Sequence, residues 1–345
     1  MIAQTLSRLV VLAPAALAAL LLCYGAILLL RPWLARHAVA QPNARSSHSV
    51  PVPQGGGIGV VIATLAVTAG VILLSRNLAR GQAEQLLFVS AGAILLTVLG
   101  AMDDIRALPA AARLLVQSAA VAAVVIALPE QIRALPELPW WLDRACLLIG
   151  GVWFVNLTNF MDGIDWMTVA EVVPVTGAML LLGIAGTIDL VASAAAAALL
   201  GAMLGFAPFN KPVAQLFLGD SGSLPVGLIL AWLLMLLAGE GHRAAALILP
   251  LYYLADTTVT LLRRLANREP FWQSHRTHFY QRATDNGFTV PEIVGRVLLL
   301  NLALAALALT AVAVGGVLVP VSALAGAAAL VAMLLTSFSR AKPKR

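Results

Sequence analysis

Eleven apolar runs, each long enough to cross a bilayer, follow one another along this chain and leave no stretch for a water-soluble domain. Crossing about 30 Å of hydrocarbon takes roughly 20 residues of helix. The runs lie at about 9–30, 57–74, 86–102, 112–128, 145–160, 166–186, 188–206, 221–239, 244–262, 291–316 and 318–337. Lipid offers no partner for backbone N–H and C=O groups, so runs of this length must satisfy them internally as helices. The expected fold is therefore an all-α integral membrane protein, a polytopic bundle of about eleven transmembrane helices, with ten as the alternative. Composition agrees: 61% of residues are hydrophobic and 11% charged, against about 25% charged in an ordinary soluble domain. The first run follows Arg8, exceeds a signal-peptide core and meets no small-x-small cleavage site before Arg31, so it reads as a retained span.

Positive charge sets the expected orientation. With the N-terminus outside, sixteen of the 22 Lys and Arg residues fall in inside segments, and six (Arg8, Arg76, Arg80, Arg133, Arg144, Arg243) fall outside. This bias is the positive-inside pattern. The net charge of +6 is thus largely an orientation signal, suited also to phosphate and anionic lipid, and gives no support to nucleic-acid binding. Cys23 and Cys146 lie in apolar runs without CxxC spacing and read as packing residues. Alanine-rich runs such as 194–198 suit close helix packing.

Four polar motifs interrupt this apolar chain, all on the inside face by the same topology. Asp103-Asp104 ends the third run; adjacent carboxylates could cap the next helix, or await a cation or a basic substrate group to relieve their repulsion. Asn156-Leu-Thr-Asn159-Phe-Met-Asp162-Gly163-Ile164-Asp165 offers hard oxygen ligands of the kind that suit Mg²⁺, although a turn with Asx caps would use the same residues. Phe217-Leu-Gly-Asp220-Ser-Gly-Ser223 opens the eighth run with small residues at a helix start, a phosphate-binding arrangement or a simple cap. It is no nucleophile elbow, because that needs a strand-turn-helix context. His275-Arg276-Thr277-His278-Phe-Tyr-Gln-Arg282 occupies the longest inside loop; His and Arg together suit a pyrophosphate better than zinc, and a solvated basic loop is the bland alternative. Asp256 and Glu171 lie deeper in their runs, where each is expected to be paired or to face the polar cavity, a neighbouring Arg being the simple partner for Asp256.

Taken in order, these motifs resemble the polyprenyl-phosphate N-acetylhexosamine-1-phosphate transferase family, glycosyltransferase family 4, over residues 31–282. The first inside loop, Pro42-Asn-Ala-Arg45-Ser-Ser-His48 through Gly55-Gly-Gly57, is similar to that family's, as is Asn210 ten residues before Asp220. The resemblance implies one transmembrane transferase domain over 1–345, with its motifs in loops 31–56, 102–112, 156–165, 207–220 and 263–290 and a basic tail at 338–345. It implies transfer of an N-acetylaminosugar-1-phosphate from a UDP-sugar to undecaprenyl phosphate, with release of UMP and help from Mg²⁺ or Mn²⁺, at the cytoplasmic face of a bacterial inner membrane; a homodimer is allowed. On this reading Asp220 and Asn156 hold the metal. Asp103, Asp104, Asp162, His275 and His278 are catalytic. Arg45, His48, Asn159, Gly163, Ile164, Asp165, Asn210, Phe217, Arg276 and Arg282 bind substrate.

Three positions depart from the family pattern: Gln41 for an acid, Gln54 for a basic residue and Trp166 for the glycine after Asp-Gly-Ile-Asp. The sequence Ile105-Arg106-Ala107 and the motif His-Arg-Thr-His differ from the lysine and histidine run of the pentapeptide translocases. They point to the branch that initiates O-antigen or other surface polysaccharides. An ion-coupled transporter would place its acids at interrupted helices of matching halves, and no internal repeat is present. A membrane hydrolase would use the same side chains with water as acceptor.

Overall fold

The structure is a computed structural model describing residues 2–40, 51–75, 80–269 and 275–342. Its elements in chain order are α1 (Ile2–His37), β1 (Val39–Ala40), β2 (Val52–Pro53), α2 (Gly56–Ser75), α3 (Arg80–Ile105), α4 (Ala110–Ala127) and α5 (Trp140–Met161). There follow α6 (Met167–Ala185), α7 (Leu190–Asn210), α8 (Asp220–Gly239), α9 (Arg243–Ile248), α10 (Leu251–Ala266), α11 (Phe279–Asp285), α12 (Val290–Val314) and α13 (Leu318–Phe338). The protein is an all-α polytopic membrane protein, with ten helices long and apolar enough to cross a bilayer among the described residues.

The expected run at 244–262 is the exception, because the chain does not pass through it as one straight helix. Pro250 separates α9 from α10, removing a backbone donor where a continuous helix would need one. Beyond the break α10 buries Tyr252, Tyr253, Asp256, Thr257, Thr260 and Arg264 along one face while Leu262 and Leu265 stay exposed. Even so, the chain changes ends here. α8 finishes against the loop before α5, where Arg243 pairs with Glu137, whereas Asp256 on α10 already meets the residues that follow it at the other end. The broken α9–α10 segment thus makes the eleventh passage. The end bearing the polar motifs is called the site end below. Arg8, Arg133, Arg144 and Arg243 lie at the opposite end, Arg8 donating to the Gly183 and Ile188 carbonyls of the α6–α7 turn.

Helices apolar on every side belong in the middle of a bundle, and α7 and α8 are buried along almost their whole length while α1, α4 and α13 face outward. The alanine run of α7 is fully packed, and α1 approaches it so closely that a Cβ at Gly201 would lie 1.9 Å from the Ala16 carbonyl oxygen. Cys23 is buried and Cys146 half-buried, both as free thiols.

At the site end the same device brings three helices together. A Cβ at Gly57 of α2 would sit 2.0 Å from the Gly222 Cα of α8, and one at Gly100 of α3 would sit 2.2 Å from the Asp220 carbonyl carbon. The β1–β2 pair, with Val39 opposite Pro53, closes over this junction, and β2 continues into a bridge between Gln54 and Phe217. Gly57→Ala is expected to force α2 and α8 apart at a cost of about 1–3 kcal/mol. Thermal unfolding in detergent should register the loss; an unchanged midpoint would show that the backbones can separate freely.

Candidate active site

The start of α8 is where the chain concentrates its carboxylates. Gly219 adopts φ +76°, a left-handed conformation open to glycine, and turns the chain so that α8 begins at Asp220. The first free N–H groups of the helix then point at α3. Asp104 accepts from the Asp220 N–H at 2.9 Å, from the Ser221 N–H at 3.2 Å and from the Ser221 hydroxyl at 2.9 Å. Asp104 therefore caps α8 from a neighbouring helix, using both oxygens. Asp103 turns the other way, accepting from the Leu108 N–H at 2.6 Å and from Arg113 at 2.5 Å.

Asp220 projects between these groups. Its Oδ1 accepts from the Asn159 amide at 2.7 Å, its Oδ2 lies 3.6 Å from Arg113, and its carboxyl is within hydrogen-bonding reach of Asp103. Two carboxylates in contact with one shared guanidinium hold more negative charge than Arg113 offsets. The donors are hard oxygens suited to a small divalent cation. Among the described residues no three His, Cys, Asp or Glu side chains form a complete cage, so a cation here would draw further ligands from water and substrate phosphate. Asn159, expected to bind substrate, reaches Asp220, whereas the Nδ2 of Asn156, expected to hold the metal, donates to Gln117 at 2.8 Å and to the Val152 carbonyl.

The turn after α5 supplies the second part of the site. Asp162 caps α5 and accepts from the Thr168 hydroxyl at 2.5 Å. Burial, with Asp104 and Asp165 adding repulsion, pushes its pKa up to about 7. Gly163 lies against the Tyr280 hydroxyl, which a Cβ would meet at 2.0 Å. Three further sequence-predicted residues, Asp165, Asn210 and Phe217, act here as ties. Ile164 and Asp165 are buried, and Asp165 accepts from the Ala214 N–H at 2.9 Å. Buried Asn210 accepts from the Trp166 N–H at 2.7 Å and donates to the Leu216 carbonyl at 3.0 Å. Phe217 exchanges backbone bonds with Pro53 and Gly56, and Gln54 donates to the Asp104 carbonyl. Trp166 sits at φ +62°, where a side chain costs about 1–2 kcal/mol; a glycine at this position would be unstrained. Its indole N–H bond to the Ala207 carbonyl at 2.7 Å offsets part of that strain.

The His-Arg motif completes the site from α10 and α11. Among the described residues Asp256 has no Arg partner. It takes the His278 Nδ1 at 3.2 Å and the N–H groups of Phe279 and Tyr280. His275 stacks on His278 with centroids 4.9 Å apart, and burial lowers its pKa to about 4, so it is neutral at pH 7. Tyr280 bonds to the Phe160 carbonyl at 3.0 Å, joining this segment to the Asp162 turn. Burial beside Asp256 and Asp162 keeps its hydroxyl protonated. Arg276 donates to Thr284 at 3.0 Å and lies 3.8 Å from Asp285, and Arg282 is half-buried on α11. Arg45, His48 and Gln41 lie outside the described residues.

Arg113, Gln117 and Thr168 belong to this constellation although no motif names them, and Tyr280 lies within the His-Arg motif but had no role assigned to it. Arg113 was legible only as an inside charge, ten residues beyond the carboxylate it pairs with.

The structure is thus a helical membrane bundle with acids, amides and basic groups gathered at one end. The family model described as glycosyl transferase family 4 matches residues 86–238, from α3 to α8. Over that stretch the chain is similar to that family. It is similar, at 25% identity over 257 residues covering 71% of this chain and 69% of the relative, to a probable undecaprenyl-phosphate N-acetylglucosaminyl 1-phosphate transferase of Bacillus subtilis (strain 168). It is also similar to phospho-N-acetylmuramoyl-pentapeptide-transferases over less than half of their length. That of Heliobacterium modesticaldum is 34% identical over 161 residues (43% of this chain, 47% of the relative), and that of Limosilactobacillus fermentum 31% identical over 123 residues (36% and 37%).

Proposed function

We propose that the protein transfers an N-acetylaminosugar-1-phosphate from a UDP-sugar to undecaprenyl phosphate, releasing UMP, and so initiates O-antigen or another surface polysaccharide. One observation carries this reading: the Asp103–Arg113–Asp220 cluster and the His275–Arg282 segment meet at one end of the bundle, around the Asp162 turn. Such a site keeps a charged nucleotide in water while the acceptor's hydrocarbon tail stays in the bilayer. The longer match to the N-acetylglucosaminyl 1-phosphate transferase favours this branch over the pentapeptide transferases.

The chemistry is the exchange of one phosphoryl–oxygen bond for another. An oxygen of the lipid phosphate bonds to the sugar-bearing phosphorus, and the bond from that phosphorus to the UMP oxygen breaks. Bringing two anions together is the main obstacle, so catalysis is largely positioning and charge neutralisation. Asp220, with the amide oxygens of Asn156 and Asn159, is suited to hold Mg²⁺ or Mn²⁺, which would offset pyrophosphate charge. Arg276 and Arg282 would grip phosphate oxygens, with His275 and His278 beside them. Asp103 and Asp104 orient the acceptor, directly or through Arg113 and the start of α8.

The test is purified protein with undecaprenyl phosphate, Mg²⁺ and a panel of UDP-N-acetylsugars, UDP-N-acetylmuramoyl-pentapeptide included. UMP release with a UDP-N-acetylhexosamine and none with the pentapeptide donor supports the proposal; the reverse pattern replaces it with the translocase reading. Continuous turnover to UMP and free sugar-1-phosphate without lipid phosphate would make the protein a hydrolase.

The site end is taken to be cytoplasmic, in a bacterial inner membrane, from the distribution of Lys and Arg. A cysteine engineered at Arg276 should resist a membrane-impermeant reagent applied from the periplasm and react once the membrane is opened. Rapid labelling in intact cells would invert the topology.

A further inference from the structure

The strongest feature outside the transfer site lies at the foot of the α12–α13 hairpin. A cleft of about 850 Å³ opens there between the start of α12 and the end of α13. Two cations face the Phe288 ring, the Arg296 guanidinium carbon at 4.7 Å and the Lys342 Nζ at 5.8 Å from its centroid. Arg296 also donates to the Ser337 hydroxyl at 3.2 Å, and exposed Arg340 follows on the same side. Among the described residues one acid answers these three cations: Glu292, whose Oε1 lies 2.5 Å from the Lys342 Nζ and whose Oε2 caps α12 at Thr289. The cleft therefore keeps an excess of positive charge. Its remaining wall is apolar and open, with Met333 69% exposed, and Leu299 on α12 is 68% exposed.

A basic floor beneath an exposed apolar wall, at the end of a transmembrane hairpin, matches a phosphate carrying hydrocarbon chains. Arg offers paired donors to phosphate oxygens. We propose that this cleft binds the phosphate headgroup of an anionic diacyl phospholipid, with its acyl chains along the outer faces of α12 and α13. A bare inorganic phosphate would leave the apolar wall uncovered.

The bound lipid would also brace the transfer site. The Lys342 N–H donates to the Asn286 carbonyl at 2.9 Å, the Asn286 amide donates to the Phe338 carbonyl at 2.7 Å, and Phe288 packs edge-on against Phe338 at 5.8 Å. Asn286 is the C-cap of α11, the helix that carries Tyr280 and Arg282. A headgroup in the cleft thus clamps the end of α13 onto α11.

Native mass spectrometry of the full chain released from nanodiscs of equal phosphatidylglycerol and phosphatidylcholine tests this. One phosphatidylglycerol should be retained per chain with at least a tenfold preference, and the triple variant Arg296→Gln/Arg340→Gln/Lys342→Gln should lose that preference. In the unmutated protein, retention should fall as salt rises, because the contact is ionic and partly exposed; this arm needs no variant to fold. Equal retention of the two lipids, or an unaltered preference in the triple variant, overturns the proposal. Displacement by equimolar undecaprenyl phosphate would assign the cleft to the acceptor, and displacement by millimolar inorganic phosphate would make it an ion site; either result also overturns it.

Discussion

Asp220→Asn is expected to lower turnover by roughly 10³-fold, the scale of losing one group that stabilises charge at the reacting centre, while the protein still inserts and folds. The structure separates these two effects. The N-terminal N–H groups of α8 are capped by Asp104, so α8 does not depend on the Asp220 side chain for its start. The Asn carboxamide can still accept from Asn159 through its oxygen. What disappears is the charge, at the one carboxylate of the cluster that is not committed to a cap or a close ion pair: its Arg113 contact is 3.6 Å, against 2.5 Å for Asp103. Mn²⁺ binding, followed through the paramagnetic resonance of the free ion, should weaken in parallel with activity. A variant that keeps near-normal turnover and metal dependence would show that Asp220 is no ligand.

The spans, the four motifs and their collection at one end could be read from the sequence because each is a local signal. Apolar length gives a helix, and an acid at its end is costly enough to be noticed. Pairings between helices are not local. Besides Tyr252 and Thr260 on its own helix, Asp256 takes partners from His278 to Tyr280, more than twenty residues away across the α10–α11 loop, and Arg113 reaches back across the α3–α4 turn. Period and spacing carry no trace of either. The 244–262 run was apolar enough to read as one helix, and only Pro250 signalled the break. Trp166 is the reverse case. Its departure from the family's glycine was visible in the sequence, but the reason glycine suits that position is a positive φ that only the folded chain reveals.

Two routes compete for the transfer: direct attack by the lipid phosphate, or a covalent sugar-phosphate intermediate on Asp162. A phosphate monoester has a second pKa near 6 and is largely dianionic at pH 7, so it hardly needs a strong base. Asp162, raised to about 7 and bonded to Thr168, is largely protonated at pH 6 and ionised only as the pH passes 7. If its carboxylate positions charge in a direct attack, activity should climb through pH 7. Asp162→Asn should lose that limb, keep a shallower one near 6 from the lipid phosphate, and turn over about 10²-fold more slowly. Direct attack also requires both substrates at once, so UDP-sugar alone should yield no UMP. A stoichiometric burst of UMP from enzyme and UDP-sugar, leaving sugar-phosphate on the unmutated protein and none on Asp162→Asn, would establish the covalent route. Rapid-quench analysis without lipid phosphate separates the two, because a single burst of UMP that leaves sugar-phosphate on the protein requires a nucleophile belonging to the protein, whereas attack by water would release free sugar-1-phosphate and continue to turn over.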